Sequence, residues 1–340
     1  MRLVSFLAPG GPGNPAPTDS PDPSARADPP DPGGPSGATG QSGVGWPHRP
    51  GTVPQGTRTG LVAGDEVVDL TDAAVGLPAD MAGLLALGAE GTAAARRAPS
   101  SAARRFALPT CTLLAPVPVP PKVLAIAMNY RSHVAELGRD EPEHQYWFNK
   151  QRTCVVGPGA PIVLPSVSSQ VDYEGELAIV IGRRCRYVPA ARAMEVVAGF
   201  SVINDVSARD WQWRTPSFTL GKSFDTHGPL GPWLVGPDEI GDPGGLRLRT
   251  WVNDELRQDG STSDLIFGWA EMIEYLSRAL TLEPGDVLAT GTPAGVGAGY
   301  DPPRWLGAGD RVRIEIEGIG ELVNPVVAER SAEPVGLDAS

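Results

Sequence analysis

Two glutamates one residue apart, Glu174 and Glu176 in Asp172-Tyr173-Glu174-Gly175-Glu176, stand directly before an apolar run, Leu177–Ile181. On an extended chain, residues two apart point to the same face. The two carboxylates would sit side by side and repel, so something positive belongs between them. A hard divalent cation with oxygen ligands suits such a pair, Mg²⁺ first, with Mn²⁺ or Ca²⁺ as alternatives. Taken alone, the pattern is more commonly an exposed acidic strand edge. Asp205, preceded by Asn204, ends a second apolar run, Val196–Ile203, and can supply a third carboxylate. Its plainer reading is a turn or a helix cap, with Ser207 and Asp210 close by.

Other residue types here can move protons or hold anions. His133 and Glu136 are three apart in Asn129-Tyr130-Arg131-Ser132-His133-Val134-Ala135-Glu136. On one helical turn they face the same way. A glutamate beside a histidine orients the ring and raises its basicity, which is what activating a water requires. The alternative is a solvated surface histidine. Lys150 follows Trp147-Phe148-Asn149, and Lys222 sits in Leu220-Gly221-Lys222-Ser223-Phe224-Asp225. Each could bind a substrate carboxylate or stabilise an enolate, and each could equally snorkel off a sheet edge. The loop Thr290-Gly291-Thr292-Pro293-Ala294-Gly295-Val296-Gly297 offers backbone N–H groups and hydroxyls to an anion, or is a tight turn. It lacks the lysine of a P-loop. With no G-x-S-x-G and no H-E-x-x-H in the chain, serine-hydrolase and zincin chemistry have nothing to rest on.

The elements that must position these residues read as β-rich. Val123–Met128, Leu177–Ile181, Val196–Ile203 and Leu246–Val252 are strand-like, the last ending in an Asn253-Asp254 turn signal. Arg311–Glu317 alternates, with Val312, Ile314 and Ile316 on one face, as a half-buried strand does. One helix stands out. Ser263 or Asp264 would cap it, and Leu265, Ile266, Trp269, Ile273, Leu276 and Leu280 share a face. Near the start, Arg2–Phe6 reads as a strand, and Gly60–Ala63 with Val67–Leu70 as a hairpin across Gly64-Asp65. Short helices are expected over Asp80–Leu87 and Ala93–Phe106.

Residues 1–60 hold 13 of the 36 prolines and 12 of the 42 glycines. That composition buries too little apolar surface to offset ordering entropy, so a disordered insertion is expected over about 9–56. The division expected is a small N-terminal domain over 1–115, a large domain over 116–330 and a tail over 331–340. With a net charge of −12 and no Lys/Arg cluster, neither nucleic acid nor an anionic membrane is an expected partner. Three scattered cysteines point to a reducing cytoplasm rather than a disulfide framework. The opening apolar stretch is too short for a signal peptide, and no run is long enough to span a membrane.

In chain order, N-Y-x-x-H-x-x-E, F-N-K, G-P-G-x-P-I-x-L-P, D-Y-E-G-E-L-A, N-D-V-S-A-R-D-W-Q, G-K-S-F-D and T-G-T-P-A-G-V-G resemble the fumarylacetoacetate hydrolase family, from about Lys122 to about Val327. The resemblance implies an α+β, β-rich fold, a mixed β-roll with a small N-terminal domain, usually as a homodimer. It implies one divalent cation held by Glu174, Glu176 and Asp205. It casts His133, Glu136 and Lys222 as catalytic, with His133 and Glu136 on a segment that often acts as a mobile lid. Tyr130, Lys150, Gln212 and Thr292 become the substrate-binding set. The implied activity is hydrolysis of a C–C bond in acylpyruvates or 1,3-dicarbonyl 2-oxo acids through a metal-stabilised enolate. The alternatives are isomerisation by keto–enol exchange, or decarboxylation, of a 2-oxo diacid on the same site. The stretch G-K-S-F-D-T-H-G-P-L-G-P-W is similar to bacterial members described as 2-hydroxyhepta-2,4-diene-1,7-dioate isomerases or hydrolases, which occur in aromatic catabolism. A non-catalytic scaffold is the third possibility.

Overall fold

The computed structural model describes residues 1–11 and 51–329. The middle of the insertion expected over 9–56, and the 331–340 tail, lie outside the described residues.

The strand Gly175–Ile181 shows what drives the architecture. All seven of its residues are buried, as expected of a run apolar on both faces. Leu177, Ile179 and Ile181 pack into one core with Leu248, Val312, Ile314 and Ile316. Ala178 and Val180 face the other way, into a core with Leu3, Leu61, Leu84 and Val123. The period-2 alternation of a strand thus joins two hydrophobic layers.

A mixed sheet runs through this strand. Its order is Arg105–Ala107, Glu66–Asp69, Thr57–Ala63, Arg2–Leu7, Gly228–Val235, Val197–Asn204, Gly175–Ile181, Val287–Ala289, Val123–Ala127 and Tyr146–Lys150. Thr112–Leu113 and Val155–Val156 add short branches. Val287–Ala289 and Val123–Ala127 pair in parallel. A second sheet, Glu255–Ser261, Arg247–Val252, Arg311–Ile316, Gly320–Ala328 and Ile162–Leu164, packs on the Leu177 face. Val312, Ile314 and Ile316 point inward at 1–2% exposure, as their alternation predicts. A two-stranded ladder of Val171–Asp172 and Ser207–Ala208 lies beside the functional site.

The expected N-terminal strand and hairpin form, with Val62 opposite Val67. They continue the main sheet, because Arg2 and Leu3 pair with Val235 and Leu234. Two helix boundaries differ from expectation. The helix expected over Ala93–Phe106 occupies Gly88–Arg97. A short turn carrying Pro99 follows it, and Phe106 is in a strand opposite Val67. The long helix begins at Trp269, not beside Asp264. Asn129 is the cause. Its backbone carbonyl accepts from Ile266 N–H, its side-chain oxygen accepts from Phe267 N–H, and its amide donates to the Phe267 carbonyl. Residues 265–267 are thereby held out of the helix. Glu271 then accepts from Gly268 N–H to start it. Among the described residues, no helix is long and apolar enough to cross a membrane.

Candidate active site

The register of two neighbouring strands assembles the acidic site. Gly175 lies opposite Asn204, and Glu176 opposite Ile203. Glu174 and Asp205, each one residue beyond a strand end, therefore meet, and Asp205 N–H donates to the Glu174 carbonyl at 2.9 Å. Asn204 secures the corner by accepting from Glu174 N–H at 3.0 Å. Glu174, Glu176 and Asp205 each present an oxygen within 4.8 Å of the other two, and all three are buried.

The glycine between the glutamates is there for packing. A Cβ on Gly175 would come 2.3 Å from the Thr250 hydroxyl of the second sheet. Gly175 N–H donates to Gln258, and the Thr292 hydroxyl donates to the Gly175 carbonyl, so both its backbone groups are held. Gln258 also donates to the Thr292 hydroxyl at 2.8 Å.

Three buried cations surround the carboxylates. Lys222 donates to Glu174 at 2.7 Å and to Asp205 at 2.8 Å. Lys150 donates to the other Asp205 oxygen at 2.6 Å and to the Lys222 carbonyl. Arg209 pairs with Glu174 at 2.6 Å and with Asp172 at 2.8 Å. Asp172 also accepts from Gly297 and Ala298 N–H, so it ties the glycine-rich loop to the site.

The charges do not balance. Burial alone would raise Glu174, yet Lys222 and Arg209 outweigh it and hold its pKa at about 2. Glu176 is driven well above the usual carboxylate range, by burial first and then by the charges of Asp205 and Glu174. It accepts a hydrogen bond from Gly291 N–H at 2.7 Å. Among the described residues it has no ion-pair partner. A buried carboxylate in that position either keeps a proton or meets another cation. An all-oxygen set of three carboxylates fits a hard divalent ion such as Mg²⁺ or Mn²⁺.

His133 and Glu136 lie on the short helix Arg131–Glu136 at the cleft. His133 Nδ1 is 3.0 Å from Glu136 Oε2, and Glu136 Oε1 accepts from Gly295 N–H at 2.8 Å. A carboxylate only accepts hydrogen bonds, so the neutral ring carries its proton on Nδ1. Nε2 is left with a lone pair for chemistry. His133, Glu174, Glu176, Gln212, Lys222 and Thr292 are among the residues that line the cleft. Gln212 also accepts from Arg209 at 2.9 Å.

Two residues of the expected substrate-binding set sit behind the cleft wall. Lys150 is 2% exposed, with its ammonium committed to Asp205, Val206 and Lys222. Tyr130 is fully buried, its hydroxyl has no hydrogen-bond partner among the described residues, and burial followed by the Glu176 charge pushes its pKa up. Neither is among the side chains that line the cleft. Asp172, Arg209 and Gln258 were missed as site residues. Asp172 precedes Glu174 by two, the same spacing that links Glu174 to Glu176, so a signal for it existed. Arg209 could have been sought as the cation that a buried acidic cluster requires.

The family profile described as "Fumarylacetoacetate (FAA) hydrolase C-terminal" matches residues 122–327. A mitochondrial oxaloacetate tautomerase of Bos taurus is 42% identical over 276 residues, covering 80% of this chain and 88% of that protein. An oxaloacetate tautomerase of Bacillus subtilis is 46% identical over 225 residues, covering 65% of this chain and 75% of that one. Among solved structures, a maleylpyruvate hydrolase from Sphingobium sp. SYK-6, in complex with manganese(II) and pyruvate, superposes with a TM-score of 0.69 at 36% identity. That match covers 81% of this chain and 98% of the other.

Proposed function

The chain belongs to the fumarylacetoacetate hydrolase family, and from that premise we propose that it is a divalent-metal-dependent enol–keto tautomerase of a small 2-oxo diacid, with oxaloacetate as the type substrate. The observation that carries this reading is a single carboxylate-oriented imidazole, His133 on Glu136, in the same cleft as the buried carboxylates. Tautomerisation needs one group that can both take and return a proton, and no second reactant.

Glu174, Glu176 and Asp205 would hold the cation. When bound, it supplies Lewis acidity that lowers the cost of the substrate's enolate form. The chain's own groups do the rest. Lys222 and Arg209 keep Glu174 ionised. His133 Nε2 accepts the proton leaving the enol oxygen and returns one to C3, giving the keto acid with no net change in composition. Glu136 steadies the imidazolium in between. Thr292 and Gln212 offer polar atoms at the cleft wall.

The test follows oxaloacetate enol absorbance with metal-stripped protein resupplied with Mg²⁺ or Mn²⁺. Conversion should vanish with chelator and in Glu176→Ala, and return on adding metal to the wild type only. Conversion that survives chelation or Glu176→Ala removes the reading.

A second reading, C–C bond hydrolysis of acylpyruvates, is supported by the likeness to the maleylpyruvate hydrolase. In it His133 Nε2 deprotonates a water that attacks the distal carbonyl, the C–C bond beside that carbonyl breaks, and the leaving pyruvate enolate takes up a proton to give pyruvate and a carboxylic acid. Release of pyruvate from fumarylpyruvate at a rate above oxaloacetate conversion would favour it.

A further inference from the structure

One cation in the cleft is not used by the carboxylates. Arg139 lines the cleft together with His133, Trp213, Phe218 and Lys222. The buried cations are committed: Lys222 to Glu174 and Asp205, Lys150 to Asp205, Arg209 to Asp172 and Glu174. The Arg139 guanidinium, by contrast, has no ion-pair or side-chain hydrogen-bond partner among the described residues. Its side-chain contact is with the Trp213 ring, 5.5 Å from the centroid. Contact with an indole face satisfies none of the guanidinium N–H groups, so they remain available to an anion.

Backbone geometry fixes where this arginine stands. The helix carrying His133 and Glu136 ends in a paired cap. Gly138 N–H donates to the Ala135 carbonyl at 3.0 Å, and Arg139 N–H to the Val134 carbonyl at 3.1 Å. Gly138 takes φ +61, the left-handed conformation this cap requires. Arg139 is therefore the first side chain after this glycine turn, held at the same cleft as the proton-transfer pair. Below it, Trp213 and Phe148 each meet Phe218 edge-on, at 5.3 and 6.2 Å, and give the cleft an apolar wall. In a chain of net charge −12, this exposed arginine beside an apolar wall is placed to meet an anionic group.

We infer that Arg139 receives the distal carboxylate of a dicarboxylic 2-oxo acid, so that the cleft selects diacids over monoacids. This rests on the proposed reaction, in which the 2-oxo end is handled at the acidic site. The two ends of the substrate are then read by separate groups, and the aromatic wall covers the carbons between them.

The test compares oxaloacetate with its 4-methyl ester, which has the same skeleton without the distal charge. Arg139→Gln keeps a polar side chain but removes the charge, and Arg139→Lys restores the charge without the fork. In Arg139→Gln, KM for oxaloacetate should rise roughly ten- to a hundredfold, the range for losing a charge-assisted hydrogen bond, while the ester changes less than about twofold. Arg139→Lys should fall between. Equal losses on both compounds, or no loss on either, overturn the inference. If the wild type converts neither compound, the proposed reaction fails, and calorimetric binding of the same pair to Mn²⁺-supplied protein decides. A preference for the dianion that disappears in Arg139→Gln supports the assignment; an unchanged preference, or no binding of the dianion, sinks it.

Discussion

Glu136 has two oxygens with different duties, and this makes the smallest change at the site a sharp one. One oxygen takes the His133 ring proton and the other takes Gly295 N–H. In Glu136→Gln the carbonyl oxygen must stay on Gly295, because a backbone donor left buried and unmet is costly. The amide nitrogen then faces Nδ1, the ring proton moves to Nε2, and the lone pair needed for proton transfer is lost. Turnover should fall roughly 10²- to 10³-fold, within the range for losing a general base. Thermal stability should hardly change. Nitrogen-15 spectra of the His133 ring would show the tautomer reversed; an unreversed ring with the same loss of turnover would discard this account. At this scale the sequence is informative where residue types recur in a fixed order. His133, Glu174 and Glu176 line one cleft, with Asp205 beside the two glutamates and Glu136 on the histidine. It is uninformative where a role depends on what lies behind a residue. Lys150 and Tyr130 carry suggestive types, but only their burial, with Lys150 bonded to Asp205, reveals that neither lines the cleft.

A side chain at Gly175, on the strand Gly175–Ile181, would run into Thr250 of the second sheet. The Thr250 hydroxyl is buried with no hydrogen-bond partner among the described residues, so it contributes bulk there rather than a bond. Gly175→Ala should destabilise the protein by about 1–3 kcal/mol, the usual cost of overpacking a well-filled interior. Adding Thr250→Ala makes room for the new methyl group, and the double variant should regain most of that loss in chemical denaturation. Additive losses would mean that the two sites do not share this contact. Strands with local signatures are legible from sequence: the alternation in Arg311–Ile316 and the apolar run in Gly175–Ile181 each mark themselves. The start of the long helix is not. Its boundary is decided by Asn129, a residue 138 positions from Phe267 along the chain, and no window on the helix itself contains that information.

On the scale of the whole molecule, Arg2–Leu7 lies inside the main sheet, between Thr57–Ala63 and Gly228–Val235. The pairing of Arg2 with Val235 joins the two ends of a long stretch of chain, and such a contact leaves no trace in local composition. The same holds for the two cores on either side of Gly175–Ile181. Their shared strand reads as one buried element, and nothing in its seven residues says which segments will cover each face.

Leu7 and Thr57 stand opposite one another across antiparallel strands. The long connection between them starts and finishes at almost one point in space, and a connection with no contacts of its own would weigh on the free energy only through the chain statistics of closing a ring. Excising residues 12–50 would shorten that ring about fivefold, and each halving relieves about 0.6 kcal/mol of closure entropy, so the trimmed protein should be more stable by about 1.4 kcal/mol. Its midpoint in urea would move upward with an unchanged slope, whereas a downward move would mean that those residues contribute contacts of their own.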